Sequence, residues 1–417
     1  MKLRIEKAVY GGDGLARIAA DEAASAGKTV FVPATLPGEL VEASIATDRR
    51  SFSTGELGAI LEPSPERVVP GCEYVPRCGG CQYQHVGATY QLQMKLGILK
   101  ETFTRAHVPP PPEIRSLTGE PWGYRNRIRL HAKGKAIGYR RRGSHDLLPV
   151  THCPIAAPVL EQAIDAVSGV GDLADEVEFF TNGDQLLVSL WPKRSQRVQE
   201  RDLEVFSERL RAKIPTLAGV GVFLPQSRTW MYWGERSLTC AVLEQRYQVS
   251  FGSFFQVNRF LIPGLVELVT AGRSGRLAWD LYSGVGLFTR SLNFEKVTAV
   301  ESEGFSVADL KKNLEGTPHR VVPSPVLEFL RSTAKAKRIM PDLIVVDPPR
   351  AGLGKEVCAH LERIAAPNII YVSCDPATLA RDLQALLQSG YSLQAITLVD
   401  LFPQTFHLET VTVLTRG

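Results

Sequence analysis

The chain has 417 residues, a formal net charge of +4 and a composition that is 44% hydrophobic and 22% charged. That length is too great for one hydrophobic core, so two or three domains are expected. No apolar run approaches the roughly 18 residues of a membrane helix, and the charged start at Met1–Lys7 does not resemble a signal peptide. We therefore expect a cytoplasmic protein with no membrane contact.

The first predicted domain covers residues 1–62, where short β-branched segments alternate with glycine turns. Examples are the glycines at 11–14 and the segment 29–32. This pattern is typical of a small β-barrel of the oligonucleotide-binding type. Three prolines between Pro63 and Pro70 then predict a linker.

A central α+β domain is predicted over residues 63–246, with a helix at about 89–105 and strand-like segments such as 124–131. Residues 247–417 alternate strand and helix patterns, which is typical of a doubly wound, Rossmann-like sheet. The predicted fold class is therefore α/β, with a β-barrel at the amino-terminal end and a central α+β domain.

The C-terminal domain opens with a strand, a glycine turn and a helix start around Asp280 and Gly284. Such a turn lets a ligand approach the backbone closely. A second predicted strand ends at Glu301, where a carboxylate can bond both hydroxyls of a ribose. Two acids with so few glycines fit S-adenosylmethionine better than a nucleotide triphosphate. An NAD site or a generic α/β turn is the alternative.

Two tetrapeptides follow short apolar runs later in the chain, Asp347-Pro-Pro-Arg350 and Ser373-Cys374-Asp375-Pro376. Such runs, separated by a helical stretch, predict adjacent buried parallel strands. Carboxyl ends of parallel strands line the ligand crevice of a doubly wound sheet. Asp347 and Cys374 should therefore face one pocket. A buried structural thiol is the alternative for Cys374.

A cysteine in such a pocket can add to carbon 6 of a pyrimidine, which makes carbon 5 nucleophilic enough to accept a methyl group. A base must then remove the carbon 5 proton before the cysteine leaves. We assign these roles to Cys374 and Glu409. An exposed strand carboxylate is the alternative for Glu409. The segments 391–400 and 407–415 lie too close in sequence for a parallel crossover, so they should pair antiparallel.

Three of the seven cysteines cluster at Cys72, Cys78 and Cys81, and Cys153 is the remaining candidate outside the catalytic domain. Four thiolates suit a [4Fe–4S] cluster or a structural zinc ion. Only one Cys-x2-Cys pair is present, and this spacing favours iron–sulfur over zinc.

Together these residues resemble the RNA uracil-5 methyltransferase family, which makes 5-methyluridine. The resemblance covers nearly the whole chain. It implies that residues 1–62 form a TRAM domain that binds RNA, and that the four cysteines hold a [4Fe–4S] cluster. It also implies that the helix after Cys81 packs on the catalytic domain.

The same resemblance implies individual site residues. Gln256 lies in a segment similar to one that contacts the cofactor in the family, and Tyr282, Glu301 and Asp347 would also contact S-adenosylmethionine. Cys374 would be the nucleophile and Glu409 the base. The chain has Ser283 where many members of the family have cysteine, and Leu287 where several have asparagine. The second difference concerns one cofactor hydrogen bond of the family and not the activity.

The expected partner is RNA, with 23S ribosomal RNA favoured over transfer RNA, and the expected state is a monomer. Arg125, Arg127 and Arg129 alternate along a predicted strand, as phosphate-facing residues would. A plain solvated strand face is the alternative. At the level of the whole protein, the alternative is a non-catalytic RNA-binding or maturation protein on a methyltransferase scaffold.

Overall fold

A computed structural model describes residues 1–18, 27–109, 111, 113–167, 170–193, 195, 197–335 and 340–417. Contacts divide the chain into two units. The first unit comprises Met1–Glu101, Tyr139–Leu148 and Phe402–His407, and the second comprises the remainder. The predicted boundaries at residues 62 and 246 stay a prediction.

A closed five-stranded barrel forms the start of the first unit, as predicted, with the strands in the order β1-β2-β3-β5-β4. The strands are β1 (Lys2–Ala8), β2 (Asp13–Arg17), β3 (Thr29–Pro33), β4 (Leu40–Asp48) and β5 (Phe52–Glu62). Alternate side chains fill the interior because neighbouring residues of a strand point to opposite faces. The buried members of this core are Leu3, Ile5, Ala16, Ile18, Val30, Val32, Val41 and Ala43.

Helix α1 spans Ala88–Arg105, and side chains of this helix bind a loop that is more than 300 residues away in sequence. The Gln91 amide donates to the Gln404 side chain at 3.0 Å, and its oxygen accepts from the Gln404 backbone at 2.9 Å. Lys95 is fully buried and donates to the Phe402 carbonyl at 3.0 Å. These bonds satisfy polar groups that would otherwise be buried without partners. The predicted packing of α1 on the catalytic domain stays a prediction.

The middle of the chain forms mostly β-structure with two helices. Its strands are β6 (Ile114–Leu117), β7 (Arg127–Lys133), β8 (Ala136–Arg140), β9 (Leu147–Pro149), β10 (Glu176–Thr181), β11 (Leu186–Trp191), β12 (Leu217–Leu224), β13 (Thr229–Gly234), β14 (Ser237–Val242) and β15 (Gln245–Ser250). The helices are α2 (Pro158–Ala166) and α3 (Glu200–Lys213). Six neighbouring strands follow the order β13-β12-β11-β10-β7-β8, and β14 and β15 form a hairpin.

The C-terminal segment folds into the predicted doubly wound sheet. Its strands are β16 (Ser274–Leu281), β17 (Asn293–Glu301), β18 (Arg320–Pro323), β19 (Leu343–Val346), β20 (Asn368–Ser373), β21 (Tyr391–Val399) and β22 (Glu409–Arg416). The helices are α4 (Ile262–Thr270), α5 (Gly304–Asn313), α6 (Val326–Lys335), α7 (Gly354–Ile364) and α8 (Pro376–Gln388). The strand order is β18-β17-β16-β19-β20-β22-β21-β6.

Pairing in this sheet confirms two predictions. Strands β19 and β20 are parallel neighbours, and β21 and β22 pair antiparallel. The sequence did not predict that β22 also pairs antiparallel with β20, or that β6 adds a parallel strand beside β21. The strand order reverses direction at β16, which in open α/β sheets is where ligands bind.

Candidate active site

Polar residues lie in a row at one edge of the C-terminal sheet. In strand order this edge carries Glu301 on β17, Asp280 near the end of β16, Asp347 after β19 and Cys374 after β20. Glu409 joins the same edge because β22 runs antiparallel and therefore begins where its neighbour β20 ends. The structure thus collects these sequence-predicted residues at the carboxyl ends of the parallel strands, where doubly wound folds bind ligands.

The Glu301 carboxylate organises the turn that follows β16. One oxygen accepts a hydrogen bond from the Gly284 backbone at 2.9 Å, and the other accepts from Ser302 and Glu303 at 2.6 and 2.7 Å. The turn has left-handed backbone at Tyr282 (φ +64°) and Gly284 (φ +54°). A non-glycine residue in that region is uncommon and is held there by its surroundings.

Asp280 is fully buried, and one of its carboxylate oxygens has an unmet hydrogen-bonding capacity. Oδ2 accepts from the Thr289 hydroxyl at 2.5 Å, whereas Oδ1 has no hydrogen-bond partner among the described residues. Burial, reinforced by the charge of Glu301, raises the pKa of Asp280 from 3.8 to about 7. A cationic ligand group beside Oδ1 would supply the missing donor and favour the charged carboxylate.

Gln256 reaches the same row from an extended segment before α4. Its side-chain nitrogen lies 3.5 Å from Asp347 Oδ2. Its backbone carbonyl accepts a hydrogen bond from the Asn126 side chain at 2.9 Å. Arg127 donates to the Ser253 carbonyl at 2.8 Å and holds the start of this segment. The start of β7 therefore anchors the segment that carries Gln256.

The strand register brings Cys374 and Glu409 together. Ser373 pairs with Thr410 at the end of the β20–β22 ladder, so Cys374 follows one member of this pair and Glu409 precedes the other. The Glu409 charge acts on the Cys374 thiol, which shows that the two side chains are near each other. Glu409 is 4% exposed, and burial with the neighbouring Asp347 charge raises its pKa well above the ordinary value. Cys374 is half-buried, and burial followed by the charge of Glu409 raises the pKa of its thiol to about 12.

Arg350 is the cation that moderates this acidic cluster. Its charge lowers the pKa of Cys374 and of Glu409, against the effect of burial on both. For Asp347, burial and then the charge of Asp280 raise the pKa. The edge of the sheet is thus rich in carboxyl groups that favour their neutral forms while no ligand is bound.

Comparison with known proteins gives the family. The family described as tRNA (Uracil-5-)-methyltransferase matches residues 327–417. A 23S rRNA (uracil(1939)-C(5))-methyltransferase RlmD from Chromohalobacter salexigens is 33% identical over 441 residues, covering 99% of this chain and 89% of that protein. The chain belongs to the RNA uracil-5 methyltransferase family.

Two further matches agree with this membership. An uncharacterized RNA methyltransferase from Thermotoga maritima is 29% identical and covers 100% of this chain and 99% of its own. The crystal structure of Pyrococcus abyssi tRNA (uracil-54, C5)-methyltransferase with S-adenosyl-L-homocysteine has a TM-score of 0.77 over 100% of both chains at 22% identity, which shows a shared fold. As a member of the family, the enzyme is an S-adenosylmethionine-dependent RNA uracil-5 methyltransferase.

The described part of this methyltransferase contains no helix that is long and apolar enough to cross a membrane. All seven of its cysteines are described, and none of them is joined in a disulfide bond. Cys72, Cys78 and Cys81 lie buried in the first unit, and Cys153 lies buried in the second. Over residues 1–18, 27–109 and the other described ranges, no group of three or more His, Cys, Asp or Glu side chains is arranged to hold a metal ion.

Two of the three alternating arginines, Arg127 and Arg129, lie on β7 and share an acidic partner on the neighbouring strand. Arg127 lies 3.4 Å from one oxygen of Glu178 on β10, and Arg129 lies 3.0 Å from the other. Their guanidinium groups also cover the rings of Phe180 and Trp191. Arg127 and Arg129 are therefore held on β7 by ion pairs within the sheet, while the Arg129 side chain stays exposed. Its contact with a phosphate stays a prediction. The sequence could not show these ion pairs because Glu178 follows about fifty residues later.

Other residues of the methyltransferase site carried no sequence signal. Thr289 looks like any helix-start threonine, yet it bonds Asp280. Asp382 lies in the middle of α8, and its carboxylate accepts a hydrogen bond from the Leu353 backbone at 2.7 Å. Leu353 belongs to the segment that follows Asp347. Side chains of this kind are identified only by three-dimensional contacts.

The raised pKa of Asp280 predicts a pH-dependent stability. Between its unfolded pKa and about 7, the folded enzyme keeps a proton that the unfolded chain releases, so stability falls as pH rises through this window. At about 1.4 kcal/mol per pKa unit, the full effect is at most about 4 kcal/mol. We expect Asp280→Asn to lose less stability than the wild type between about pH 5 and about pH 8. Thermal unfolding without added cofactor measures this.

The control for this prediction is Glu303→Gln, which neutralises an exposed carboxylate on the same domain. It should follow the wild-type pH profile. Identical pH profiles for wild type and Asp280→Asn would contradict the assignment of a buried, proton-binding Asp280.

Proposed function

We propose that the enzyme methylates carbon 5 of a uridine through a covalent adduct between Cys374 and carbon 6, with Glu409 as the base that removes the carbon 5 proton. The observation that carries this proposal is the register of β20 and β22, in which Cys374 follows Ser373 and Glu409 precedes its partner Thr410. A nucleophile and a base on facing strand positions can act on adjacent carbons of one ring.

Cofactor binding is proposed for Gln256, Tyr282, Gly284, Glu301 and Asp347. The Glu301 carboxylate at the end of β17 suits the ribose hydroxyls of an adenosine. The orphaned Oδ1 of buried Asp280 suits a cationic amino group, which supports a sulfonium amino acid over a dinucleotide. When bound, S-adenosylmethionine supplies the electrophilic methyl group.

The first step forms a bond between the Cys374 sulfur and carbon 6. The electrons of the carbon 5–carbon 6 double bond move to carbon 5 and the adjacent carbonyl at carbon 4. A thiolate is needed, because the thiol is a poor nucleophile. The raised pKa of about 12 keeps the Cys374 thiol protonated at neutral pH in the protein alone. A cationic ligand among these carboxylates would lower the pKa of Cys374, and Arg350 acts in the same direction.

The last step requires a proton to leave carbon 5, after which the carbon–sulfur bond breaks and the ring double bond returns. The Glu409 carboxylate receives this proton. Its burial makes the ionised form strongly basic, while Arg350 favours that ionised form. Overall, a methyl group from S-adenosylmethionine replaces the carbon 5 proton of uridine, S-adenosylhomocysteine and the proton are the other products, and the Cys374 thiolate is regenerated.

The proposed substrate is a uridine in 23S ribosomal RNA. Support comes from the Chromohalobacter salexigens relative, whose name states a 23S rRNA uracil substrate. The Pyrococcus abyssi structure is of a transfer RNA enzyme, but at 22% identity that likeness concerns the fold. The target base must leave its stack so that the thiol can approach carbon 6 from above the ring, which favours a loop uridine.

We also propose that the barrel of residues 1–62 binds RNA, that the enzyme acts as a monomer, and that it works in the cytoplasm. A five-stranded closed barrel is an architecture used for oligonucleotide binding, which supports the first of them.

We expect Cys374→Ala to abolish methylation and Glu409→Gln to accumulate an RNA–protein complex that survives denaturation. The first change removes the nucleophile, and the second blocks the proton removal that precedes release of the thiol. The assay uses labelled S-adenosylmethionine with 23S rRNA and, separately, transfer RNA from a strain that lacks the gene.

The control variant is Cys358→Ala, which removes a buried thiol from α7 of the same domain. It should retain activity. Full methylation by Cys374→Ala would refute the covalent mechanism, and methylation confined to transfer RNA would refute the ribosomal substrate.

We also propose that Cys72, Cys78, Cys81 and Cys153 hold a [4Fe–4S] cluster. These four cysteines are buried and not joined in disulfides, and cysteine thiolates are the ligands that hold iron–sulfur clusters. Enzyme purified without oxygen should contain iron and acid-labile sulfide and absorb visible light. Cys78→Ser should lose most of this absorption, and Cys240→Ser, a change at a buried thiol in β14, should keep it. Stoichiometric zinc without sulfide would contradict the proposal.

A further inference from the structure

The chain after Asp347 turns sharply before it enters α7. The Gly352 backbone donates to the Pro349 carbonyl at 2.8 Å, which closes a β-turn with Arg350 and Ala351 at its centre. Gly352 has φ +72°, a conformation that favours glycine. The turn therefore decides where the Arg350 guanidinium lies relative to Cys374 and Glu409.

A buried carboxylate from α8 holds this turn in place. Asp382 is 1% exposed, and its oxygens accept from the backbone of Leu353 at 2.7 Å and of Gly354 at 3.3 Å. The Tyr371 hydroxyl on β20 donates to the same carboxylate at 2.9 Å. A Cβ atom added to Gly352 would lie 2.5 Å from Asp382 Oδ2, so the turn and the carboxylate are in close contact.

Two neighbours of Asp382 bind the turn's carbonyl groups. Arg381 donates to Ala351 at 2.8 Å and also to Asp382 at 2.9 Å, and Thr378 donates to Arg350 at 3.2 Å. Side chains on one face of α8 therefore bind both the carbonyl groups of the turn and the backbone N–H groups that directly follow it. The bonds made by the charged groups of Arg381 and Asp382 are charge-assisted, and such bonds are stronger than neutral ones.

The same helix also fixes the nucleophile. α8 begins directly after Cys374, and Asp375 caps it by accepting from the backbone of Ala377 and Thr378 at 3.0 and 2.8 Å. One rigid element therefore sets the end of the strand that carries Cys374 and the turn that carries Arg350.

We propose that Asp382 is a positioning residue for methyl transfer: its carboxylate holds the turn 349–352 so that Arg350 lies beside Cys374 and Glu409. Asp382 contacts neither the nucleophile nor the base and acts through the turn. This role rests on the proposed function, in which Arg350 favours the thiolate of Cys374 and the ionised form of Glu409.

The test compares Asp382→Asn and Gly352→Ala with the control Tyr371→Phe. The first replaces an oxygen acceptor by an N–H donor that opposes the backbone donors of the turn. The second pushes the turn away from an intact carboxylate. The control removes the Tyr371 hydroxyl, with its bonds to Asp382 and to the Leu353 backbone, but leaves the bonds that Asp382 accepts from Leu353 and Gly354.

We expect kcat to fall about 10- to 100-fold in both test variants, since misplacement of a catalytic group by about 1 Å has effects of that size. The KM for S-adenosylmethionine should change by less than about threefold, because Asp347 is held separately by the Leu281 carbonyl. Tyr371→Phe should keep kcat within about threefold of the wild type, even if it unfolds at lower temperature.

A pH profile separates positioning from a loss of stability. Cys374 faces the acidic groups Glu409, Asp347 and Asp375, and Arg350 is the cation that lowers its pKa. If the turn releases Arg350, the pKa of Cys374 rises, so the rise of the rate with pH should move to higher pH in Asp382→Asn and Gly352→Ala.

An unchanged pH profile in both test variants, with kcat reduced only by the unfolded fraction, would overturn the positioning role. An equal loss of kcat in Tyr371→Phe would overturn it as well. These outcomes are distinct from a failure of the proposed function, which would appear as full activity in Cys374→Ala whatever Asp382→Asn does.

Discussion

The antiparallel strand β22 between β20 and β21 is the constraint on which the site depends. In a sheet made only of parallel strands, the edge beside Cys374 would receive the carboxyl end of another strand. Because β22 runs the other way, its first residue, Glu409, arrives at that edge instead. Ladder hydrogen bonds fix the register, and a slip of one residue would turn Glu409 to the opposite face of the sheet. The proposed nucleophile and the proposed base are thus brought to one end of the sheet by backbone geometry.

Electrostatics gives the site a dependence on its ligands. Asp280, Asp347 and Glu409 all have raised pKa values, mainly because they are buried, and the thiol of Cys374 follows the same trend. Such a set is costly to ionise without a positive charge nearby. In the proposed mechanism, a sulfonium cofactor with an amino group would bring positive charge to these acids, and its binding would then favour the thiolate of Cys374. Arg350, held by the turn that α8 grips, provides the chain's own contribution.

The parts of the site that follow from a local sequence pattern could be predicted. Buried runs before Asp347 and Cys374 predicted parallel neighbours, and the short spacer before Glu409 predicted an antiparallel pair. Features that depend on partners distant in sequence could not be predicted. Strand β6 is four residues long with no clear alternation, and the partner of Arg127 and Arg129 is Glu178 on another strand. Asp382 looks like an ordinary polar helix residue until its contacts are seen, because its function lies in the turn that it binds.

The central claim is that Cys374 adds to carbon 6 before the methyl group moves, and an isotope effect at carbon 6 tests it most directly. The substrate RNA would be prepared with uridine deuterated at carbon 6, and kcat/KM would be compared with that of unlabelled RNA. Addition changes carbon 6 from trigonal to tetrahedral, so the account predicts an inverse effect, with the deuterated RNA reacting faster. Equal rates for the two RNAs would show that carbon 6 stays trigonal through methyl transfer and would contradict the covalent mechanism.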